Sequence, residues 1–260
     1  MKLYVKYVSL LLKSHLQYKA SFTITAIAQF FSPFTLLAGM FFLFERFDNI
    51  QGWTMFEVFM CFAVVGACHS IATCFARGFD VFDNMIRTAS FDRILVRPRG
   101  TVLQILGSSF DLKRIGHLLQ NTVVLAIAVI GTDIPWDLTR VVMLVNMIFG
   151  GSVIFSGVYM LQAAASFWTI EALEVANIFT HGIKQHASYP LNIFPRWITA
   201  FFTFVIPFGT INYLPLQYLL GRIDGIGWLY AFLPLLGALF ILPCIGAWKF
   251  GVRKYSSSGS

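Results

Sequence analysis

Charge-free stretches of membrane-spanning length, set off by short polar turns, dominate the pattern of this chain. Residues 22–44 form the first, interrupted by Gln29 and Pro33, and residues 58–75 the second. Residues 115–131 make a third, shorter and more polar through His117, Gln120 and Asn121. Residues 141–170 make a fourth without a single charge, and residues 226–248 the last. A helix rises about 1.5 Å per residue, so roughly 20 apolar residues cross a hydrocarbon core. The pattern therefore predicts an all-α polytopic membrane protein, with the polar loop 45–54 and the turn 132–137 reversing the chain. Two segments compete for a further span. Residues 171–196 read as helical but polar, whereas residues 197–221 are apolar but broken by Pro207 and Pro215. Either choice gives six spans and leaves both termini on one side.

Ahead of the first stretch, Lys2, Lys6, Ser9, Lys13 and Gln17 recur at helical spacing, while Leu3, Tyr7, Leu10 and Leu11 take the other side. Residues 1–20 thus predict a helix lying in the membrane interface, its lysines among anionic headgroups. A plain basic flank of the first span is the alternative. The spread of these lysines does not fit a cleaved signal peptide. The Ser-rich end, residues 255–260, reads as a linker, which leaves residues 1–254 as a single transmembrane domain.

Composition narrows the class further. The chain is 57% hydrophobic and 12% charged, where a soluble domain carries about 25% charged residues. The net charge of +7 raises the question of nucleic acid, but its distribution fits membrane topology instead. Fourteen basic residues fall in the amino-terminal segment, the 77–114 loop and the carboxyl-terminal tail, against Arg46, Arg140 and Arg222 in the opposite loops. Basic residues concentrate on the cytoplasmic face, so both termini and the 77–114 loop are expected there. Cys61, Cys68, Cys74 and Cys244 all lie in apolar stretches, where a thiol behaves as a small buried hydrophobe; no disulfide is expected.

A search for chemistry yields no catalytic residues and no metal site. The chain has no G-x-x-x-x-G-K-[ST] loop, no H-E-x-x-H and no G-x-S-x-G. If ATP is used, another chain binds it, together with its magnesium. Asp80 and Asp83 form an isolated D-x-x-D pair, better read as a solvated helix end than as a cation site. His69 and His117 are ionisable groups at membrane depth, read as hydrogen-bonded neutral histidines in preference to a proton relay. Gly150, Gly151, Ser152, Ser156 and Gly157 offer a small-residue face, for a second subunit or for packing within this one.

The most informative string is Ser90-Phe91-Asp92-Arg93-Ile94-Leu95-Val96-Arg97-Pro98-Arg99 in the long basic loop. Ser90 can cap a short helix that Pro98 ends, and Phe91, Ile94 and Leu95 share an i, i+3, i+4 apolar face. Flanked by Asp92, Arg93 and Arg97, such a face suits a groove on a partner protein; resting on lipid headgroups is the alternative.

Four features in this order make the chain resemble the type-two class of ABC exporter permeases, over essentially its whole length. They are the Phe91–Pro98 string, the Phe167-Trp168-Thr169 step, the Tyr189-Pro190-Leu191-Asn192-Ile193-Phe194-Pro195-Arg196-Trp197 string, and the run from Val205-Ile206-Pro207-Phe208 to Pro215, Leu219, Leu220 and Gly221. The resemblance implies that Phe91, Asp92, Arg93, Ile94, Leu95 and Arg97 form a coupling helix that docks on a separate ABC ATPase. It implies two ATPase copies and a second permease subunit, identical or homologous, within the cytoplasmic (inner) membrane of a bacterium. It further implies a fifth span near residues 167–189, then a re-entrant external region, 190–224, in which Tyr189, Pro190, Pro195, Trp197 and Pro207 belong to an outer gate. Glu171, Glu174, His181 and Lys184 make that fifth span unusually polar, and such groups are tolerated only toward the bundle interior or a watery route; they are the candidate pathway residues. The expected function is export of an amphipathic or lipid-like substrate by alternating access. A secondary transporter or channel would call for inverted repeats with broken helices in both halves, and a lipid enzyme for a nucleophile or an acid–base pair.

Overall fold

The computed structural model of the chain describes Tyr7, Ser9, Lys13, Gln17, Gly182 and residues 19–168, 188–223 and 227–256. Helices α1 (Lys19–Phe31) and α2 (Phe34–Arg46) meet at Pro33, which has no N–H to continue the ladder, so the helix is interrupted there. Helix α3 (Met55–Asp80) opens on a capping box, with the Glu57 carboxylate accepting from the Thr54 N–H at 2.7 Å. A non-helical turn at Ala76 kinks α3 near its far end. Three short helices follow, α4 (Phe82–Arg87), α5 (Asp92–Leu95) and α6 (Thr101–Leu106). Helix α7 (Ile115–Gly131) coincides with the third predicted span. Helix α8 (Leu138–Ala165) starts where Asp137 accepts the Arg140 N–H at 2.8 Å. Helix α9 (Arg196–Ala200) runs on as a π turn, Phe201–Val205, and α10 (Leu214–Leu219) follows a tight turn at Phe208–Thr210. Helices α11 (Gly227–Ala238) and α12 (Ile241–Lys254) make the last long segment.

Five segments among the described residues are long and apolar enough to cross a membrane: Lys19–Arg46, Met55–Arg87, Leu112–Gly131, Leu138–Ala165 and Trp228–Lys254. The chain is thus an all-α, polytopic membrane protein. Burial identifies its centre: 83% of the most apolar stretch of Met55–Arg87 is buried, against 17% of that of Lys19–Arg46. Helix α3 is packed between α7 and α8; α11 and α12 lie on α8, and α1 leans on α7.

Between helices in lipid no difference in hydrophobicity drives association, so close backbone approach has to supply the contact. A Cβ on Gly150 would stand 2.4 Å from the Pro234 carbonyl oxygen, and one on Gly151 2.4 Å from the Cys68 sulfur. The small-residue face of α8 is therefore used inside this subunit, against α11 and α3. Asn146 secures the same seam by donating to the Ala231 carbonyl at 2.8 Å, whereas Ser152 and Ser156 bond back to their own helix. Gly150→Leu should lower the thermal midpoint of the detergent-purified protein by roughly 5 °C, the shift expected of one to three kcal/mol of overpacking. A thermal melt that matches the unmodified chain would show that α11 does not sit on this face.

Several boundaries differ from the sequence expectation. The second span runs through Arg77 to Asp80, because these two side chains form an i, i+3 ion pair that carries the helix past its apolar stretch. Helix α8 stops at Ala165, short of residue 170. Tyr255, assigned to the linker, belongs to the domain: its ring packs on Phe91 at 5.2 Å and Phe167 at 5.7 Å. In the amino-terminal segment the described residues are helical, with Ser9, Lys13 and Gln17 exposed and the Tyr7 ring against Gly107.

A candidate coupling hub and a bent closing segment

Where α3, α8 and α12 end together, six aromatic rings meet: Phe79, Phe82, Phe91, Phe167, Trp248 and Tyr255. Trp248 lies 5.0 Å from Phe79, 4.8 Å from Phe82 and 5.3 Å from Phe167, mostly edge to face. Phe91, from the turn before α5, stands 5.0 Å from Phe82 and 5.6 Å from Phe167. Such pairs contribute about 0.5–1.5 kcal/mol each beyond area burial. Two polar ties fasten α6 to the same hub. Trp248 Nε1 donates to Thr101 Oγ1 at 3.0 Å, and Gln104 Nε2 donates to the carbonyls of Ile94 at 3.2 Å and Arg99 at 2.9 Å. The α5 turn is thereby packed against the ends of three long helices.

The predicted coupling helix is short, and its faces are divided differently from the expectation. Phe91 is fully buried and Ile94 nearly so, both within this chain, so they are not the surface offered to a partner. The aromatic hub has taken them. Arg93, Leu95, Val96, Arg97, Pro98 and Arg99 remain exposed, with Val96 at 83%. Ser90 does not cap α5; its hydroxyl reaches back to the Met85 carbonyl at 3.4 Å, and Phe91 occupies the N-cap position. Asp92, in the first helical turn, is half-buried.

At the other end of the bundle, Arg196–Val205 and Phe208–Leu219 form a pair bent by 82° at Pro207. The tip of the bend is driven inward. Phe208 is fully buried and lies 4.7 Å from Phe155, which itself touches His69 at 5.4 Å. His69 is fourteen residues into α3, about 21 Å along the helix axis at 1.5 Å per residue. The two ends of the segment return to one loop. Trp53 Nε1, between the first two spans, donates to Asn192 Oδ1 at 2.9 Å, and Arg222 donates to the Gly52 carbonyl and to Glu57 Oε2, each at 2.6 Å. Of the predicted gate residues, Pro190 is buried, Tyr189 and Pro207 are half-buried, and Pro195 and Trp197 are exposed. Trp197 is 72% exposed.

The remaining candidates separate. His69 is buried between the rings of Phe155 and Tyr159, and the Tyr159 hydroxyl shares a 2.9 Å hydrogen bond with Thr73. Asp80 pairs with Arg77, and Asp83 lies 3.9 Å from Arg87. The pathway residues Glu171, Glu174, His181 and Lys184 lie outside the described residues. Trp248, Gln104, Trp53 and Arg222 were not singled out from sequence. Trp248, Trp53 and Arg222 flank apolar runs, where a tryptophan or arginine normally reads as an interfacial anchor, and only the folded contacts distinguish a hub from an anchor.

No curated protein and no solved structure matches the chain. A family description, ABC-2 family transporter protein, matches residues 30–259, from the first span through the bent segment to the tail. With nearly its whole length matched, the chain belongs to the ABC-2 family of transporter proteins.

Proposed function

We propose that this chain is the transmembrane permease of an ATP-driven exporter that carries an amphipathic or lipid-like substrate out of the cytoplasm by alternating access. Its family makes it a permease component of an ABC transporter and implies an ABC ATPase as partner. In this reading two ATPase copies bind ATP and magnesium, and this chain pairs with a second permease, identical or homologous. The assembly sits in the cytoplasmic membrane of a bacterium, with both termini and the α4–α6 loop on the cytoplasmic side.

The observation that carries the reading is the aromatic hub. A turn with exposed Arg93 and Leu95 to Arg99 is packed against the ends of α3, α8 and α12 through six aromatic rings that meet edge to face or tilted. Movement of an ATPase against that turn would thus shift the ends of three long helices together. Interiors this closely packed switch between discrete arrangements and do not deform smoothly. Docking would use Leu95, Val96 and the flanking arginines, with Phe91 and Ile94 acting from behind as the anchor. At the opposite end, the bent segment is proposed to be re-entrant and external, closing the outer face. Support comes from its two ends, which meet the same turn at Trp53 and Gly52, and broken backbone at membrane depth is tolerated where it is buried in protein.

Leu95→Asp combined with Val96→Asp tests the docking edge. Both positions are exposed in the chain alone, so the variant should insert and melt like the parent but lose its ATPase on affinity purification, because it places charge in a desolvated contact. Full retention of the ATPase would remove this edge from the interface.

A further inference from the structure

We infer that Arg222 is a positioning residue that latches the bent segment onto the turn between the first two spans and holds that end of the bundle shut. The inference rests on the external, re-entrant reading of the segment and assigns it a fastening that sequence comparison did not suggest.

The turn is built to receive the arginine. Gln51 and Gly52 both have positive φ, 51° and 80°, and Ile50 and Trp53 exchange backbone hydrogen bonds of 3.0 Å on either side. That is the geometry of a two-residue hairpin, with glycine at the position where a side chain is most strained. Asn49 steadies it by accepting the Gly52 N–H at 3.4 Å. The hairpin fixes the Gly52 carbonyl and the indole of Trp53 in space. Glu57 is fixed independently, because Thr54 already donates its backbone N–H to Oε2. Arg222 then meets three prepared groups at once. It donates to Gly52 O and Glu57 Oε2 at 2.6 Å, and its guanidinium stands 4.3 Å over the ring of the fully buried Trp53. A planar guanidinium satisfies a carbonyl, a carboxylate and an aromatic face together, which a lysine ammonium does not. Gly221, at φ 67°, turns the chain after α10 so that Arg222 points back to the hairpin.

The rest of the segment is held chiefly by non-directional apolar contact, Phe208 on Phe155 and Ile211 beside Gly151. Polar contacts clasp both ends, where Trp53 grips Asn192 and Arg222 grips Gly52 and Glu57. Such a clasp can release without unpacking the core. Beneath it is a natural reporter. Cys61 lies one helical turn past Glu57, is fully buried, and its thiol faces Asn212 of the bent segment. In the latch reading, lifting of the segment would open that sulfur to water.

The full-length chain, with Cys68, Cys74 and Cys244 replaced so that Cys61 remains, is treated in intact cells with a membrane-impermeant maleimide. The parent should label slowly. Arg222→Ala should label at least about tenfold faster, the response to a one-decade shift in a closed–open equilibrium. Arg222→Lys should fall between, since it keeps the charge but loses the planar stacking. Should Arg222→Ala fail to accumulate in the membrane, Trp53→Phe carries the test, because it keeps an aromatic ring but removes the donor to Asn192; it too should label faster. Unchanged labelling in the accumulating variants overturns the latch while leaving the external segment standing. Labelling of Arg222→Ala or Trp53→Phe only in inverted membranes overturns the external placement and the latch together.

Discussion

Phe91→Ala should destabilise the protein by about 3–5 kcal/mol, the range for removing a fully packed phenylalanine. The reason lies in its neighbours. Phe91 touches Phe82, Phe167, Trp248 and Tyr255 and has no exposed surface, so the vacated volume opens at the meeting point of the hub. Two consequences separate this residue from the adjacent Leu95, which is 39% exposed. Thermal unfolding of purified Phe91→Ala should shift down strongly, whereas Leu95→Ala should change it by less than about 1 kcal/mol, as exposed positions do. With the ATPase bound, Phe91→Ala should also lower substrate-stimulated ATP turnover more than it lowers ATPase binding. A pair of variants with equal melts would mean that Phe91 is a docking residue after all.

The second large effect is expected at the tip of the bent segment. Phe208→Asp places a carboxylate against the Phe155 ring at the fully buried tip of the bend. An unpaired buried charge costs several kcal/mol, so the variant should accumulate poorly and be rapidly degraded. Trp197→Ala, at the exposed start of the segment, should accumulate normally. Quantitative immunoblotting of membranes distinguishes the two. Normal levels of Phe208→Asp would place the tip in water and remove the closure role from the segment.

Much of the fold was legible because length and apolarity suffice to mark a span. The α-helix of the third span was bounded to the residue, and the bend at Pro207 follows from a ring that cannot donate to the helix ladder. The site was less legible. An i, i+3, i+4 stripe of Phe91, Ile94 and Leu95 reads the same whether it faces a partner or the chain's own core. Two of the rings that Phe91 meets, Trp248 and Tyr255, lie over 150 residues away, and no local pattern reveals such contacts. The fastening at Arg222 was hidden for the same reason, since the arginine counted only as one of the few basic residues on the sparse side. The glycines of α8 signalled close packing correctly, yet only the fold brings Pro234 and Cys68 against them.

The central claim, an ATPase docked at the exposed edge of α5 and levering the hub behind it, is tested most directly by site-specific crosslinking. Val96→Cys, at 83% exposure, and Asn192→Cys, in the string tied to Trp53, are each placed in an otherwise cysteine-free chain and expressed in the native host. After crosslinking with a short bifunctional maleimide and purification, Val96→Cys should carry a covalent adduct with a protein containing an ABC ATPase nucleotide-binding loop, and Asn192→Cys should carry none. An ATPase adduct at Asn192→Cys, or its absence at Val96→Cys from a transporter that still hydrolyses ATP, would contradict the account.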